Sequence, residues 1–209
     1  MTNKNNLYFF LLYFIFVSLI VVSGCSSSKT DDKEENEYDE TEKYDQEELT
    51  SSAILKTAAE EQKNKMYSVS VDSTYLYWLD SRLIILNGST KCNIYALNVL
   101  KRSGCMTPEV NALSRDLYDT NNFRDILPVV GVNDISNAKA GDLIVWNGHV
   151  IIFESELEIG GQKYARAYWA GTNSEDNGDN IINNVCHGKF KLNGDFIVRR
   201  PRKKSTFPG

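Results

Sequence analysis

Residues 137–171 read "NAKAGDLIVWNGHVIIFESELEIGGQKYARAYWAG", and they decide the fold. "LIVW" and "HVIIF" are short apolar runs on either side of Asn147-Gly148, a pair that favours a two-residue type I′ hairpin turn. Gly160-Gly161 turns the chain again into "KYARAYWA", so three antiparallel strands are expected in succession. "INNVC" and the pair "KFKL" and "DFIVRR" around Asn193-Gly194 read as further strands before "PRKK".

The sequence before this region has helical character. "ILKTAAEEQKNK", residues 54–65, holds good helix formers without Gly or Pro. "YSVSVDSTYLYW", residues 67–78, fits either a strand or a helix start. In "STKCNIYALNVLKRSG", residues 89–104, Ser89 or Thr90 is placed to cap a helix and Gly104 to stop it. Ile94, Leu97 and Leu100 share one face, and Cys92, Ala96 and Val99 share another, which predicts a buried helix. "TPEVNALSRDLYDT", residues 107–120, reads as another helix with Pro108 in its first turn. Helices first and a meandering sheet afterwards make an α+β domain, expected to span residues 53–209, with the N-terminal helices packed on a small antiparallel sheet.

The N-terminal quarter is of another kind. "LYFFLLYFIFVSLIVV", residues 7–22, follows Lys4 and ends in "VSGC", residues 22–25. About 16 apolar residues fall just short of the roughly 17–25 that span a bilayer, so residues 1–24 read as a secretion signal. "VSGC" resembles the lipobox of bacterial lipoproteins, which implies acylation of Cys25 and a lipid anchor in a bacterial envelope membrane. Residues 25–52 follow as an expected disordered tether. Between Asp31 and Thr50 it carries eleven Asp and Glu against two Lys, with little aliphatic surface to bury. The net charge of −5 comes largely from this tether, and no general basic surface suggests nucleic acid.

Cys92, Cys105 and Cys186 remain, an odd number in an oxidising compartment. Cys105 and Cys186 could pair in a disulfide. A zinc site is disfavoured because close cysteine pairs are missing and the adjacent residues Cys186 and His187 would point to opposite faces of a strand. Cys92 can be read as packed core, or as a nucleophile. The second reading draws on its place in the first turn of a helix, where unpaired N–H groups and the dipole favour a thiolate and can hold an oxyanion. Only His149 and His187 could serve an imidazole-dependent reaction in this chain. His149 opens a strand straight after a tight turn, where it could take a thiol proton and return it to a leaving amine.

"KCNIYALNVL" on a helix followed by "AGDLIVWNGHVIIF" on a hairpin resembles the NlpC/P60 superfamily of cell-wall peptidases and amidases, and the related CHAP amidases. The matching residues are Cys92, Gly141-Asp142 and Gly148-His149, and "FIVRRP", residues 196–201, looks like the family's last strand. The resemblance implies a papain-like fold and a cysteine peptidase or amidase that cleaves an amide bond in peptidoglycan peptide stems. It implies Cys92 as nucleophile and His149 as base, no cofactor and a monomer at work. An inactive, wall-binding or structural member of the same fold is the alternative.

The family's third polar residue sits on the following strand, here "KYARAYWAGTN". Counting out from a two-residue turn at Gly160-Gly161 sets His149 opposite Thr172. A loop change of one residue brings in Asn173, whose amide could orient the imidazole. Asp142 in "AGD" is read as turn chemistry rather than as a catalytic carboxylate. The catalytic reading requires the Cys92 sulfur and the His149 ring to meet at an open groove.

Overall fold

A long helix, α1 (Glu37–Glu61), opens the computed structural model, which describes residues 37–171 and 185–204, with side chains from residue 48 onward. The leader, Cys25 and Asn173 therefore lie outside the described residues. The helix begins well before residue 54, where helical composition first stands out, so residues 37–52 of the expected tether have helical backbone. This stretch has no Gly or Pro, and its acidic residues lie toward the N-terminus, where the helix dipole favours negative charge.

Residues 67–78 resolve into a strand and then a 3-10 turn. β1 (Ser73–Leu76) pairs antiparallel with β2 (Arg82–Ile85) in a two-stranded sheet, and Tyr77–Leu79 form the turn. The next helix, α2 (Cys92–Arg102), has every residue from Cys92 to Leu100 buried, as apolar positions on two faces require. Its start differs from expectation, because Lys91 is the N-cap and neither Ser89 nor Thr90 closes the first turn with a side-chain bond. Gly104 ends it with φ +78°, and the Cys105 N–H returns to the Leu100 carbonyl at 2.9 Å.

The helix expected over residues 107–120 shrinks to α3 (Ser114–Tyr118). The carbonyls of the preceding segment are used elsewhere. Trp78 Nε1 donates to Val110 O at 3.0 Å, and Asn93 Nδ2 donates to Ala112 O at 2.8 Å. The Asp116 carboxylate then accepts the Leu113 N–H and begins the short helix.

The larger sheet has six strands, all antiparallel, in the order β3 (Val129–Val132), β8 (Ile197–Arg199), β4 (Leu143–Trp146), β5 (His149–Ile159), β6 (Gln162–Ala170), β7 (Val185–Lys191). The three consecutive strands β4, β5 and β6 occupy its middle as the sequence predicts. The strands expected on either side of Asn193-Gly194 both form, but they do not pair with each other. β7 pairs with β6, while β8 crosses the sheet to lie between β3 and β4. The crossing is fastened by Trp146 Nε1 donating to Asn193 O and by the Phe196 N–H donating to Asn133 Oδ1, both at 2.8 Å.

The two turns also differ from their sequence signals. Trp146 pairs with His149, so Asn147-Gly148 is a two-residue turn, but neither residue has the left-handed φ that type I′ needs. Gly160 and Gly161 do have it, at +60° and +78°, and join Ile159 to Gln162.

Strand alternation gives the large sheet two faces. Val145, Val150, Ile152 and Tyr168 pack toward α2, and Ile144, Ile151, Phe153 and Trp169 form a second cluster on the other side. The domain is thus α+β, with a small antiparallel sheet beside a six-stranded one.

Candidate active site at the start of α2

Cys92 is the first residue of α2, and it is 2% exposed. Its Sγ lies 3.4 Å from the hydroxyl of Ser114, the first residue of α3. The ordering of this corner comes from its neighbours. Lys91 is fully buried, and its ammonium donates to the carbonyls of Met66 (2.7 Å) and Val71. Burial holds its pKa below the ordinary lysine value, against a weaker upward pull from Asp72. On the next turn of the helix, Asn98 accepts from the Tyr77 N–H and donates to Tyr67 Oη and Tyr75 O. These bonds tie α2 to the small sheet and fix the direction of its first turn. The N-cap residue Lys91 makes no side-chain bond to that turn, which is buried from Cys92 to Ile94.

His149 opens β5 as expected. Its ring stacks on Phe190 at 5.4 Å between centroids with 16° between planes, and lies 6.3 Å from the Trp146 ring. Both aromatics pack against the cluster on the face away from α2. Nε2 is buried without a hydrogen-bond partner. Burial pushes the imidazole pKa down to about 4, so the ring is neutral at pH 7 and has the protonation state of a base. Among the described residues no hydrogen bond joins this ring to Cys92, whose sulfur is held by Ser114 instead.

The segment leading into α2 and the His149 ring nevertheless both come close to Gly171. A Cβ built there would stand 3.5 Å from Thr90 Cβ and 3.9 Å from His149 Cε1. The approach to α2 and the head of β5 therefore share one end of the sheet.

The residue opposite His149 is set by an irregularity that the sequence does not advertise. β5 and β6 pair as Ser155↔Arg166 on one side of a bulge and as Phe153↔Ala167 and Ile152↔Tyr168 on the other. Counting on from Ile152↔Tyr168 puts Gly171, not Thr172, across from His149. A glycine offers no side chain to orient an imidazole, and only its backbone could do so. Gly171 has φ +114°, which few other residues adopt.

Asp142 has the structural role read from "AGD". Its carboxylate accepts from Lys139 N at 2.8 Å and from two nitrogens of Arg200 at 2.9 and 3.2 Å. Burial raises its pKa, against the downward pull of Arg200. Gly141, with φ +90°, lets α1 approach closely, since a Cβ would stand 3.1 Å from Ile54 Cδ1. No disulfide joins Cys92, Cys105 and Cys186, so the possible Cys105–Cys186 pair does not form. Burial pushes the Cys105 thiol up to about 11, the opposite of activation. No group of three or more His, Cys, Asp or Glu among the described residues could hold a metal ion, and no described helix is long and apolar enough to cross a membrane.

Two features had no sequence signal. One is Ser114 beside the sulfur. The other is His187, whose Nε2 is 2.7 Å from Glu154 Oε2 and whose ring stacks on Tyr168 at 3.9 Å. Comparison with family models, with curated proteins and with solved structures gave no match.

Proposed function

We propose that this chain is a cysteine peptidase or amidase of the NlpC/P60 kind, with the papain-like fold of that superfamily, that cleaves an amide bond in peptidoglycan peptide stems. It acts as a monomer in the bacterial cell envelope, anchored to the membrane by lipid on Cys25. The observation that carries this reading is the approach to Gly171 of a neutral imidazole and of Thr90, two residues before the uncapped first turn that bears Cys92. In the reaction, Sγ adds to the amide carbonyl as its proton passes to His149. The first-turn N–H groups hold the oxyanion, and the imidazolium returns the proton to the leaving amine. Water then attacks the thioester with His149 again as base, releasing the acid and restoring the thiol. To begin this cycle, Cys92 must exchange its Ser114 contact for the imidazole. Asn173, or the backbone near Gly171, would orient that ring.

The test is mass spectrometry of fragments released from purified peptidoglycan by the full chain in detergent micelles, beside Cys92→Ser. New amine and carboxyl ends that appear only with the parent protein support the hydrolase. A second reading draws on the 2% exposure of Cys92 and on the packing of His149 against the far aromatic cluster. It makes the chain a wall-binding or structural member of the same fold. Unchanged wall affinity in Cys92→Ala, with no fragments from either protein, selects it.

A further inference from the structure

β7 ends the order of the six-stranded sheet, and among the described residues its outer edge has no partner strand. Its inner edge pairs with β6 from Tyr164↔Lys191 to Ala170↔Val185. Alternation sends His187, Lys189 and Lys191 to one face, level with Tyr168, Arg166 and Tyr164 of β6. That is the α2 side, since Tyr168 packs in the same cluster as α2. All three β7 side chains remain partly exposed, and Arg166 is exposed. Lys189 Nζ stands 5.2 Å over the Tyr164 ring. Glu154 is the carboxylate seen bonding in this stripe, shared by Arg166 Nε at 2.8 Å and His187 Nε2 at 2.7 Å. A basic, aromatic stripe thus borders a strand whose outer edge is unpaired among the described residues, on a chain whose net charge is −5.

Lysines on an edge strand repel a second copy of the same edge, which is the ordinary protection against sheet-to-sheet aggregation. The same charges attract a strand of opposite sign. We propose that β7 is a docking edge for an extended acidic peptide, which adds to the sheet as a seventh strand. The peptide's backbone pairs with the outer edge of residues 187–191, and its carboxylates reach Lys189, Lys191 and Arg166. The inference is independent of the chemistry at Cys92. The occupant is a peptide because the edge supplies a ladder of backbone donors and acceptors, which a lipid surface cannot use.

The test is fluorescence anisotropy with the full chain in neutral detergent micelles. The probe is a labelled peptide of about three Glu-Thr repeats, the length of one ordinary strand. Three comparisons accompany it: the Lys-Thr counterpart, the Glu-Thr peptide N-methylated at alternate residues, and Lys189→Gln/Lys191→Gln. The Glu-Thr peptide should bind and the Lys-Thr peptide should not. Loss of two exposed charge pairs should weaken binding about tenfold, and N-methylation should weaken it at least as much. Equal binding of the N-methylated peptide would overturn strand addition. Equal binding by the double variant, or no binding to the parent protein, would overturn the docking edge. Capture of anionic vesicles with no affinity for the peptide would overturn it in favour of a membrane contact.

Discussion

The two faces of the six-stranded sheet treat buried polar atoms differently. On the α2 side, Lys91, Asn93, Asn98 and Arg199 are all buried, and each donates to carbonyls that would otherwise be stranded. On the other side, His149 Nε2 and Trp169 Nε1 are buried with no partner, and the small sheet leaves one more such atom, Thr74 Oγ1. An unpaired buried polar group costs about 1–3 kcal/mol, so the second face gives up at two ring nitrogens the stability that the four fastened side chains keep. One face is fastened by directed bonds. The other is held by aromatic packing and retains hydrogen-bonding capacity next to the start of β5.

The strongest way to break this contrast is to remove the main fastening. Arg199, on β8, is fully buried and donates to the carbonyls of Leu117, Asp119, Asn122 and Leu127. It shapes the whole connection from α3 to the segment before β3. Burial lowers its pKa, with Asp119 pulling the other way. Arg199→Met keeps much of the volume and leaves four acceptors behind. Urea denaturation should show a loss of roughly 3–5 kcal/mol, the range for removing one partner from a buried charged network. A loss under about 1 kcal/mol would mean that those carbonyls find water and that the α2 face is not fastened by this residue.

On the far face the matching experiment is a pH series. The folded-state pKa of His149 is pushed down to about 4 by burial, below the ordinary histidine value near 6.5. The unfolded chain therefore binds more protons between these values, and stability falls as pH drops from about 6.5 toward 4. The loss is at most roughly 3 kcal/mol, and less to the degree that the ring is partly exposed. His149→Phe keeps a ring against Phe190 and removes both the unpaired nitrogen and the titration. It should flatten the histidine part of the pH profile at little cost in stability at pH 7. A profile that stays as steep would assign the slope to other groups, and the far face would lose its distinguishing member.

These contrasts also mark what could be read in the residues. Local chemistry carried the buried helix of residues 92–102, the Gly104 stop, the strand at His149 and the turn role of Asp142. Each depends on spacing within about ten residues, where periodicity and capping act. What could not be read depends on partners distant in sequence. The helix over residues 107–120 is shortened to Ser114–Tyr118, because Trp78 and Asn93 take the carbonyls before it. Which neighbours the strands flanking Asn193-Gly194 would take was set by a crossing fixed by Asn133 and Trp146. At the candidate site, the positions of Cys92 and His149 in their elements were legible. The face on which the ring lies, the Ser114 contact and the bulge that moves Gly171 opposite His149 were not, because no local pattern encodes a register shift.

The smallest expected effect concerns the turns that set these registers. Asn147-Gly148 holds Trp146 against His149, which decides the face that receives the imidazole, and it does so without left-handed φ. Gly148 has open space around its missing Cβ, so Gly148→Ala needs no change of backbone. It should leave stability unchanged or raise it by about 0.4–1 kcal/mol, because alanine restricts the unfolded chain. Gly161 is equally open but sits at φ +78°, where an L side chain costs roughly 1–2 kcal/mol. Gly161→Ala should therefore destabilise where Gly148→Ala does not, although neither meets a neighbouring atom. Thermal unfolding of the pair reads the sign directly. If both variants lose about 1 kcal/mol, the first turn is left-handed after all. The twist delivered to β5 would then change, and with it the side of the sheet from which His149 can approach the sulfur.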